Sequence, residues 1–179
     1  DAGSVVICGR GLEVADPMLA QQYGLAIVRQ TPALLPQLTV LENMELSRGT
    51  RWISSAARAR SWAREWLDPW ELDVDPASRV EDLTVEQKQI VEMTRALAAS
   101  PSVLILDEPT EHLNLEESER LFAKVRDLVA AGGSVVYISH RIHEVKAIAD
   151  RITVLRDGKV RGTFEAADVD EHQIISLVI

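Results

Sequence analysis

Short apolar runs alternate along this chain with longer stretches of helical period. Apolar runs of four residues occupy positions 5–8, 25–28, 103–106 and 135–138, and each predicts a β-strand, with the run at 135–138 expected to be buried. Between them, apolar residues recur at helical spacing, as in the stripe of Ile90, Val91, Met93 and Leu97. Strands that alternate with helices are typical of a parallel sheet covered by helices. The pattern therefore predicts an α/β fold.

Capping signals predict where several helices begin, and Gly132-Gly133 predicts the end of one of them. Each candidate N-cap is a polar residue whose side chain can accept a backbone N–H of the first helical turn. These residues are Asp16, Thr39, Thr84 and Asn114. Thr39 and Thr84 are followed three residues later by Glu42 and Gln87, which completes the capping-box pattern. Near the C-terminus, Asp157-Gly158 between two alternating runs predicts a β-hairpin.

Residues 48–80 differ in composition from the rest of the chain. This segment contains all four tryptophans, and Trp62 and Trp66 lie one helical turn apart. We predict a helical subdomain over residues 48–80, inserted into an α/β core formed by residues 1–47 and 81–179. The tryptophans are expected to pack within the subdomain.

Charge and cysteine content narrow the possible functions. The 179 residues include 19 Lys and Arg against 28 Asp and Glu, a net charge of -9. An acidic chain is a poor general ligand for nucleic-acid phosphates, so no nucleic-acid partner is expected.

The single cysteine, Cys8, cannot form an internal disulfide, and a reducing, intracellular compartment is expected. No apolar run approaches the roughly 18 residues of a membrane span.

Three predicted strand ends bear polar residues that could carry chemistry. Gln30 follows one strand, Asp107 and Glu108 end another, and His140 follows a third. Ligands of open α/β sheets bind beyond the carboxyl ends of the strands. One of two adjacent carboxylates could hold Mg²⁺ while the other polarises a water. The same residues are also compatible with an ordinary strand end, a turn at Pro109 and a satisfied surface histidine.

The order of these segments resembles the ATP-binding subunit of ABC transporters over nearly the whole chain. The resemblance rests on Gln30, on residues 83–87 (LTVEQ), on residues 103–110 (VLILDEPT) and on residues 137–141 (YISHR). Residues 27–43 look most like the sugar-importer branch. The resemblance implies a P-loop NTPase-like parallel sheet core, here incomplete at its N-terminus, with an inserted α-helical subdomain.

The family also implies roles for these residues. Gln30 and Asp107 would serve Mg²⁺, Glu108 would act on the attacking water, and His140 would contact the γ-phosphate of ATP. The signature segment would contact ATP held by a second nucleotide-binding domain in a head-to-tail dimer; its residues are Thr84, Val85, Glu86 and Gln87. Membrane permease subunits would be further partners, which implies a cytoplasmic protein peripheral to the inner face of the cell membrane.

Two features of the sequence depart from the family pattern. No G-x-x-x-x-G-K-[ST] phosphate-binding loop is present in these residues, so the chain is expected to begin after that loop and to lack a working ATP site by itself. Glu86 occupies a signature position where the family has glycine, and Glu111-His112 replaces the small residues usual in the D-loop.

Three functions stay open from the sequence. The first is an ATPase subunit of a sugar importer. The second is a non-hydrolysing interaction module with a degenerate signature, and the third is an ABC-type ATPase of DNA repair, which the acidic charge disfavours. In the importer, Leu34 and Leu35 are expected in a permease-docking groove between residues 30–38 and the tryptophan-rich segment.

Overall fold

A computed structural model of the protein describes residues 3–12, 16–48 and 55–179. The chain forms two compact units, Asp1–Val136 and Tyr137–Ile179. This division does not test the predicted boundaries of the helical subdomain at residues 48 and 80, which stay a prediction.

The first unit begins with a short antiparallel hairpin. Strands β1 (Val5–Ile7) and β2 (Arg10–Leu12) pair through a turn at Cys8 and Gly9, whose φ angles are 50° and 76°. Two consecutive positive φ angles suit the tight turns that match strand twist. The strand predicted at residues 5–8 therefore ends one residue early and pairs with β2 instead of joining the parallel sheet. Cys8 is an exposed turn residue rather than an apolar strand residue.

The next three elements follow the sequence prediction closely. Helix α1 (Pro17–Gln22) is capped by Asp16, strand β3 spans Leu25–Val28, and helix α2 spans Val40–Leu46. The Thr39 hydroxyl accepts the Glu42 amide while the Glu42 carboxylate accepts the Thr39 amide, so the predicted capping box is present.

Helices α3 (Ala56–Leu67) and α4 (Val85–Ala98) pack with α2 around an apolar cluster. The cluster consists of Val40, Met44, Ala63, Leu67, Val74, Val80, Leu83 and Val91. Trp62 and Trp66 pack against it, and Trp70 is buried in the 3-10 turn that follows α3. A packing role is confirmed for these three tryptophans, but the cluster that Trp62 and Trp66 contact also contains residues outside 48–80, so packing within the subdomain alone stays a prediction. Trp52 lies outside the described residues.

The parallel sheet has the strand order β3-β4-β5, with β4 spanning Val103–Asp107 and β5 spanning Ser134–Ile138. Helix α5 (Leu115–Ala130) connects β4 to β5 and begins after the predicted cap Asn114. Its C-cap Ala131 is followed by Gly132, whose φ is 91°. The prediction that the fourth apolar run is a buried strand is wrong, since Val136 is 48% exposed. Exposed and half-buried side chains alternate along β5, so neither face of this strand is fully covered.

The second unit contains helix α6 (Ile142–Ile148), strands β6 (Arg151–Arg156) and β7 (Lys159–Glu165), and helix α7 (Glu171–Val178). Strands β6 and β7 form the predicted hairpin, with Asp157 and Gly158 at positive φ in its turn. Its apolar core consists of Ile152, Val154, Ala166, Val169 and Ile174. Across the described ranges, every helix falls short of the length and apolar character that a bilayer crossing requires.

Candidate functional site

The register of β3 against β4 brings two of the predicted site segments to one edge of the sheet. Val28 pairs with Leu106 in a parallel arrangement, so both strands leave the sheet at the same edge. Gln30 lies two residues beyond this pair on one strand, and Asp107 and Glu108 follow it on the other. The structure therefore places the predicted amide and carboxylates on neighbouring strand ends.

The turn after β4 is held by buried residues and a backbone hydrogen bond. Pro109 and Thr110 are buried, and the Leu113 amide donates to the Thr110 carbonyl at 3.1 Å. Glu108 has a φ of 47°, which is uncommon for a residue with a Cβ and carries a conformational cost. Backbone of this kind persists where the surrounding structure determines it.

Gln30 hydrogen-bonds to a residue that sequence reasoning did not connect with it. Its Nε2 donates to Oε2 of Glu111 at 2.9 Å. The two residues are 81 positions apart, and no local pattern signals the contact. In the sequence, Glu111 stands out only as a departure from the small residues usual in the D-loop.

A buried ion pair on α4 supports the loop that follows Gln30. Nη2 of Arg95 lies 2.8 Å from Oε1 and 2.7 Å from Oε2 of Glu92, whose side chain is 1% exposed. Burial raises the pKa of Glu92, while Arg95 and the Ala33 amide act in the opposite direction. Nη1 of Arg95 also donates to the Ala33 carbonyl at 3.2 Å. Helix α4 thus holds the loop through two charged side chains, Arg95 and Glu92, which bind the carbonyl and the amide of Ala33.

The same loop is joined to the segment that precedes α4. The Val80 amide donates to the Leu38 carbonyl and the Glu81 amide to the Pro36 carbonyl, each at 3.0 Å. These bonds tie the end of the loop to residues just before the signature segment.

The signature residues form the N-terminus of α4. Oγ1 of Thr84 accepts the Gln87 amide at 3.2 Å, and Oε1 of Gln87 accepts the Thr84 amide at 3.0 Å. Val85 and Glu86 are exposed beside this cap. The Glu86 backbone amide, the Thr84 hydroxyl and the charge of His112 all lower the pKa of Glu86. Glu86 is therefore an exposed carboxylate that is ionised at neutral pH.

His140 belongs to the second unit. It is exposed between β5 and α6. The Arg141 amide next to it donates to the Ser139 hydroxyl at 3.0 Å. Glu144, in the first turn of α6, is buried and accepts hydrogen bonds from Tyr137 at 2.8 Å and Arg141 at 3.1 Å. This network stabilises the chain on both sides of His140.

The predicted docking residues are only partly exposed. Leu35 is 47% exposed, but Leu34 packs against the cluster formed by α2, α3 and α4. The expectation that both leucines form a free surface is therefore wrong for Leu34, because its side chain contributes to the domain's own core.

The donor atoms at the sheet edge suit a hard divalent cation. Asp107 and Gln30 supply carboxylate and carbonyl oxygens from adjacent strands, and Mg²⁺ commonly takes one or two protein ligands together with phosphate oxygens and water. Within residues 3–12, 16–48 and 55–179, no cluster of three or more His, Cys, Asp or Glu side chains could form an all-protein metal cage.

Comparison with known proteins identifies related sequences. A family model described as ABC transporter matches residues 1–111. The ribose import ATP-binding protein RbsA 3 of Rubrobacter xylanophilus is 41% identical over 180 residues, covering 99% of this chain and 36% of that protein. The ribose import ATP-binding protein RbsA of Rhodopirellula baltica is 37% identical over 182 residues, covering 100% of this chain and 36% of that protein. The chain thus spans about a third of the length of these relatives.

Solved structures share the fold. A dimeric ATP-binding cassette in a post-hydrolysis state, bound to ADP and Pi, superimposes with a TM-score of 0.82 at 28% identity. The match covers 92% of this chain and 74% of that one. A dimeric structure described as a bacterial ABC transporter cassette gives a TM-score of 0.81 with the same coverage. These likenesses confirm the predicted α/β, P-loop NTPase-like fold.

Proposed function

We propose that this chain, which belongs to the ABC transporter family, is part of an ATP-binding and ATP-hydrolysing subunit of an importer, with sugars as the transported class. The observation that carries the proposal is the parallel β3–β4 register, in which the strand that precedes Gln30 and the strand that ends in Asp107 run out at the same sheet edge. The printed names of the relatives, ribose import ATP-binding proteins, support the importer and sugar assignments.

The sheet edge suits phosphoryl transfer from ATP to water. Such a reaction needs oxygen ligands for a cation, a group that orients the attacking water and donors aimed at the developing charge. Asp107 and Gln30 would hold Mg²⁺, which neutralises phosphate charge when bound. The Glu108 carboxylate would orient the water by accepting its hydrogen bond. His140 would donate a hydrogen bond to the γ-phosphate.

The signature segment would bind ATP held by a second domain. Helix α4 is 14 residues long, and the N-terminus of a helix offers free N–H groups and a positive dipole end to a phosphate. Thr84, Val85, Glu86 and Gln87 would face that nucleotide in a head-to-tail dimer. Val85 and Glu86 are exposed, as a surface that meets a partner must be.

The membrane partner would be a permease subunit at the cytoplasmic face of the cell membrane. Leu35 stands exposed in the loop that leads from Gln30 to α2. Since this loop is also bonded to α4 through Arg95, a permease segment that contacts it could influence both Gln30 and the signature helix.

Substitution of Glu108 tests the proposal in the full-length protein. Glu108→Gln should lower ATP hydrolysis at least about 100-fold, as expected for loss of a group that orients the water, while ATP-dependent dimerisation persists. Glu119→Gln, at an exposed position of α5, is the matched control and should leave the rate unchanged. Hydrolysis retained within about twofold in Glu108→Gln would contradict the catalytic role of Glu108.

A non-hydrolysing interaction module is the alternative function. It is favoured by the ionised Glu86 in the signature segment. Full-length protein that binds its permease but neither binds nor hydrolyses ATP would support this alternative and overturn the ATPase proposal.

A further inference from the structure

We propose that Glu111 is a positioning residue for Gln30, which orients the carboxamide so that its carbonyl oxygen, and not its amide nitrogen, faces the cation side of the site. The inference rests on the proposed function, since it concerns the same sheet edge. The carrying observation is the hydrogen bond of 2.9 Å from Nε2 of Gln30 to Oε2 of Glu111.

The orientation follows from the chemistry of the two groups. An ionised carboxylate has no hydrogen to donate, so only the NH₂ end of the glutamine can face Glu111. The carbonyl oxygen is on the other side of the same planar group. Without such a partner, the two ends of a glutamine have nearly the same shape and either could point toward the site. A hard cation is coordinated by the carbonyl oxygen of a carboxamide and not by its NH₂ group.

The backbone of Glu111 is held in place, so its side chain can position another side chain. The Glu111 amide donates to the Glu108 carbonyl at 3.3 Å, and the preceding residue, Thr110, is 0% exposed. Gln30, in contrast, lies in a bend between β3 and the loop. A charged acceptor strengthens the hydrogen bond, although both side chains are exposed and the bond contributes little to stability. Its effect is therefore on orientation.

Three substitutions of Glu111 in the full-length protein separate orientation from other effects. Lysine can only donate, so Glu111→Lys should attract the carbonyl oxygen of Gln30 and turn its NH₂ group toward the cation. Glu111→Gln can still accept through its own oxygen and should preserve the wild-type orientation. Glu111→Ala removes the partner and leaves both orientations accessible.

Binding of Mn²⁺ in the presence of a non-hydrolysable ATP analogue, followed by electron paramagnetic resonance, is the first measurement. Partners that orient a metal ligand typically change affinity 10- to 100-fold when removed. We expect about a tenfold loss in Glu111→Lys, a smaller loss in Glu111→Ala and a change within about twofold in Glu111→Gln. Equal affinity in wild type, Glu111→Lys and Glu111→Ala would overturn the proposal.

The Gln30→Ala background controls for charge. Replacing Glu111 by lysine adds positive charge near the cation, which weakens its binding regardless of Gln30. If orientation is the cause, Glu111→Lys should cost much less in Gln30→Ala protein than in wild type. An equal loss in both backgrounds would show that charge alone acts and would overturn the proposal.

A nucleotide-free measurement distinguishes failure of this inference from failure of the proposed function. The side-chain ¹⁵N–¹H signals of Gln30, assigned by their loss in Gln30→Ala, should shift and exchange faster with solvent in Glu111→Ala than in wild type. Absence of any Mn²⁺ or ATP-analogue binding would refute the proposed function, and the inference would fall with it. Intact binding with unaltered Gln30 signals in Glu111→Ala would refute the inference alone.

Discussion

The side chain of Asn43 binds both polar groups of the Leu35 backbone: Oδ1 accepts the Leu35 amide at 2.8 Å, and Nδ2 donates to the Leu35 carbonyl at 3.0 Å. Nδ2 also donates to the Thr39 carbonyl at 3.0 Å. Asn43 is 0% exposed on α2. The loop that begins at Gln30 is therefore fastened to a helix by a buried amide and to α4 by Arg95.

Asn43→Ala should lower the free energy of unfolding by about 2 kcal/mol, because it leaves partly buried backbone groups without partners. Urea-induced unfolding of the protein measures the change. Gln37→Ala, at an exposed position of the same loop, should change stability by less than about 0.5 kcal/mol. Similar midpoints for the two variants would show that the Asn43 bonds do not stabilise the loop.

Charged substitutions at Leu34 and Leu35 should have different effects. Leu34→Glu places a charge against the apolar cluster and should destabilise the protein by about 2 kcal/mol or more. Leu35→Glu should leave stability within about 0.5 kcal/mol, as at surface sites, and weaken association with the permease. Thermal unfolding and co-purification with the permease measure the two effects. Unaltered co-purification of Leu35→Glu would place the docking groove elsewhere.

Glu86→Gly should increase ATP-dependent dimerisation or the ATPase rate of the full-length protein. The physical reason is that the ionised carboxylate of Glu86 would approach the γ-phosphate bound by the partner domain, where like charges repel. Glu86→Gln separates charge from size, since it keeps the side chain but removes the charge. Size-exclusion chromatography with ATP measures dimerisation. If neither variant dimerises more than wild type, Glu86 does not face the nucleotide.

The pH dependence of stability should reveal the burial of Glu92. Burial raises its pKa above the ordinary value of 4.5, so the folded state binds more protons than the unfolded state in the interval between the two pKa values. The free energy of unfolding should therefore fall as the pH rises from about 4.5 through the raised pKa. Glu92→Gln should lack this component. Parallel stability curves of wild type and Glu92→Gln between pH 4 and 7, approximately, would contradict the shift.

The 179-residue chain by itself should bind Mg-ATP weakly and should not hydrolyse it. Its sequence has no glycine-rich run whose N–H groups and lysine could enclose the β- and γ-phosphates. Calorimetric titration with Mg-ATP and a phosphate-release assay measure both properties. Micromolar affinity, or hydrolysis that disappears in Glu108→Gln, would show that other residues of the chain provide the phosphate contacts.

Local features of this protein were predictable from sequence. The caps at Thr39 and Thr84, the stop at Gly132 and the hairpin at Asp157-Gly158 all occur where expected. Each depends on groups within about four residues of one another, so the chain brings them together without help from the rest of the fold.

That Gln30, Asp107 and Glu108 follow strands of one parallel sheet was also within reach of sequence reasoning. Parallel strands of one sheet end at the same edge, but only the structure shows that β3 and β4 are neighbours. The roles of these residues came from the family resemblance, since amide and carboxylate side chains at a strand end are compatible with several functions.

Tertiary structure alone decided which distant groups meet and which apolar groups are covered. Glu111 contacts Gln30 across 81 positions, Glu92 is buried against Arg95, and Leu34 is packed while Leu35 is exposed. The apolar run of β5 predicted burial, yet Val136 is 48% exposed. Hydrophobicity specifies that a side chain gains from leaving water, but only neighbours supplied by other segments determine whether it does so.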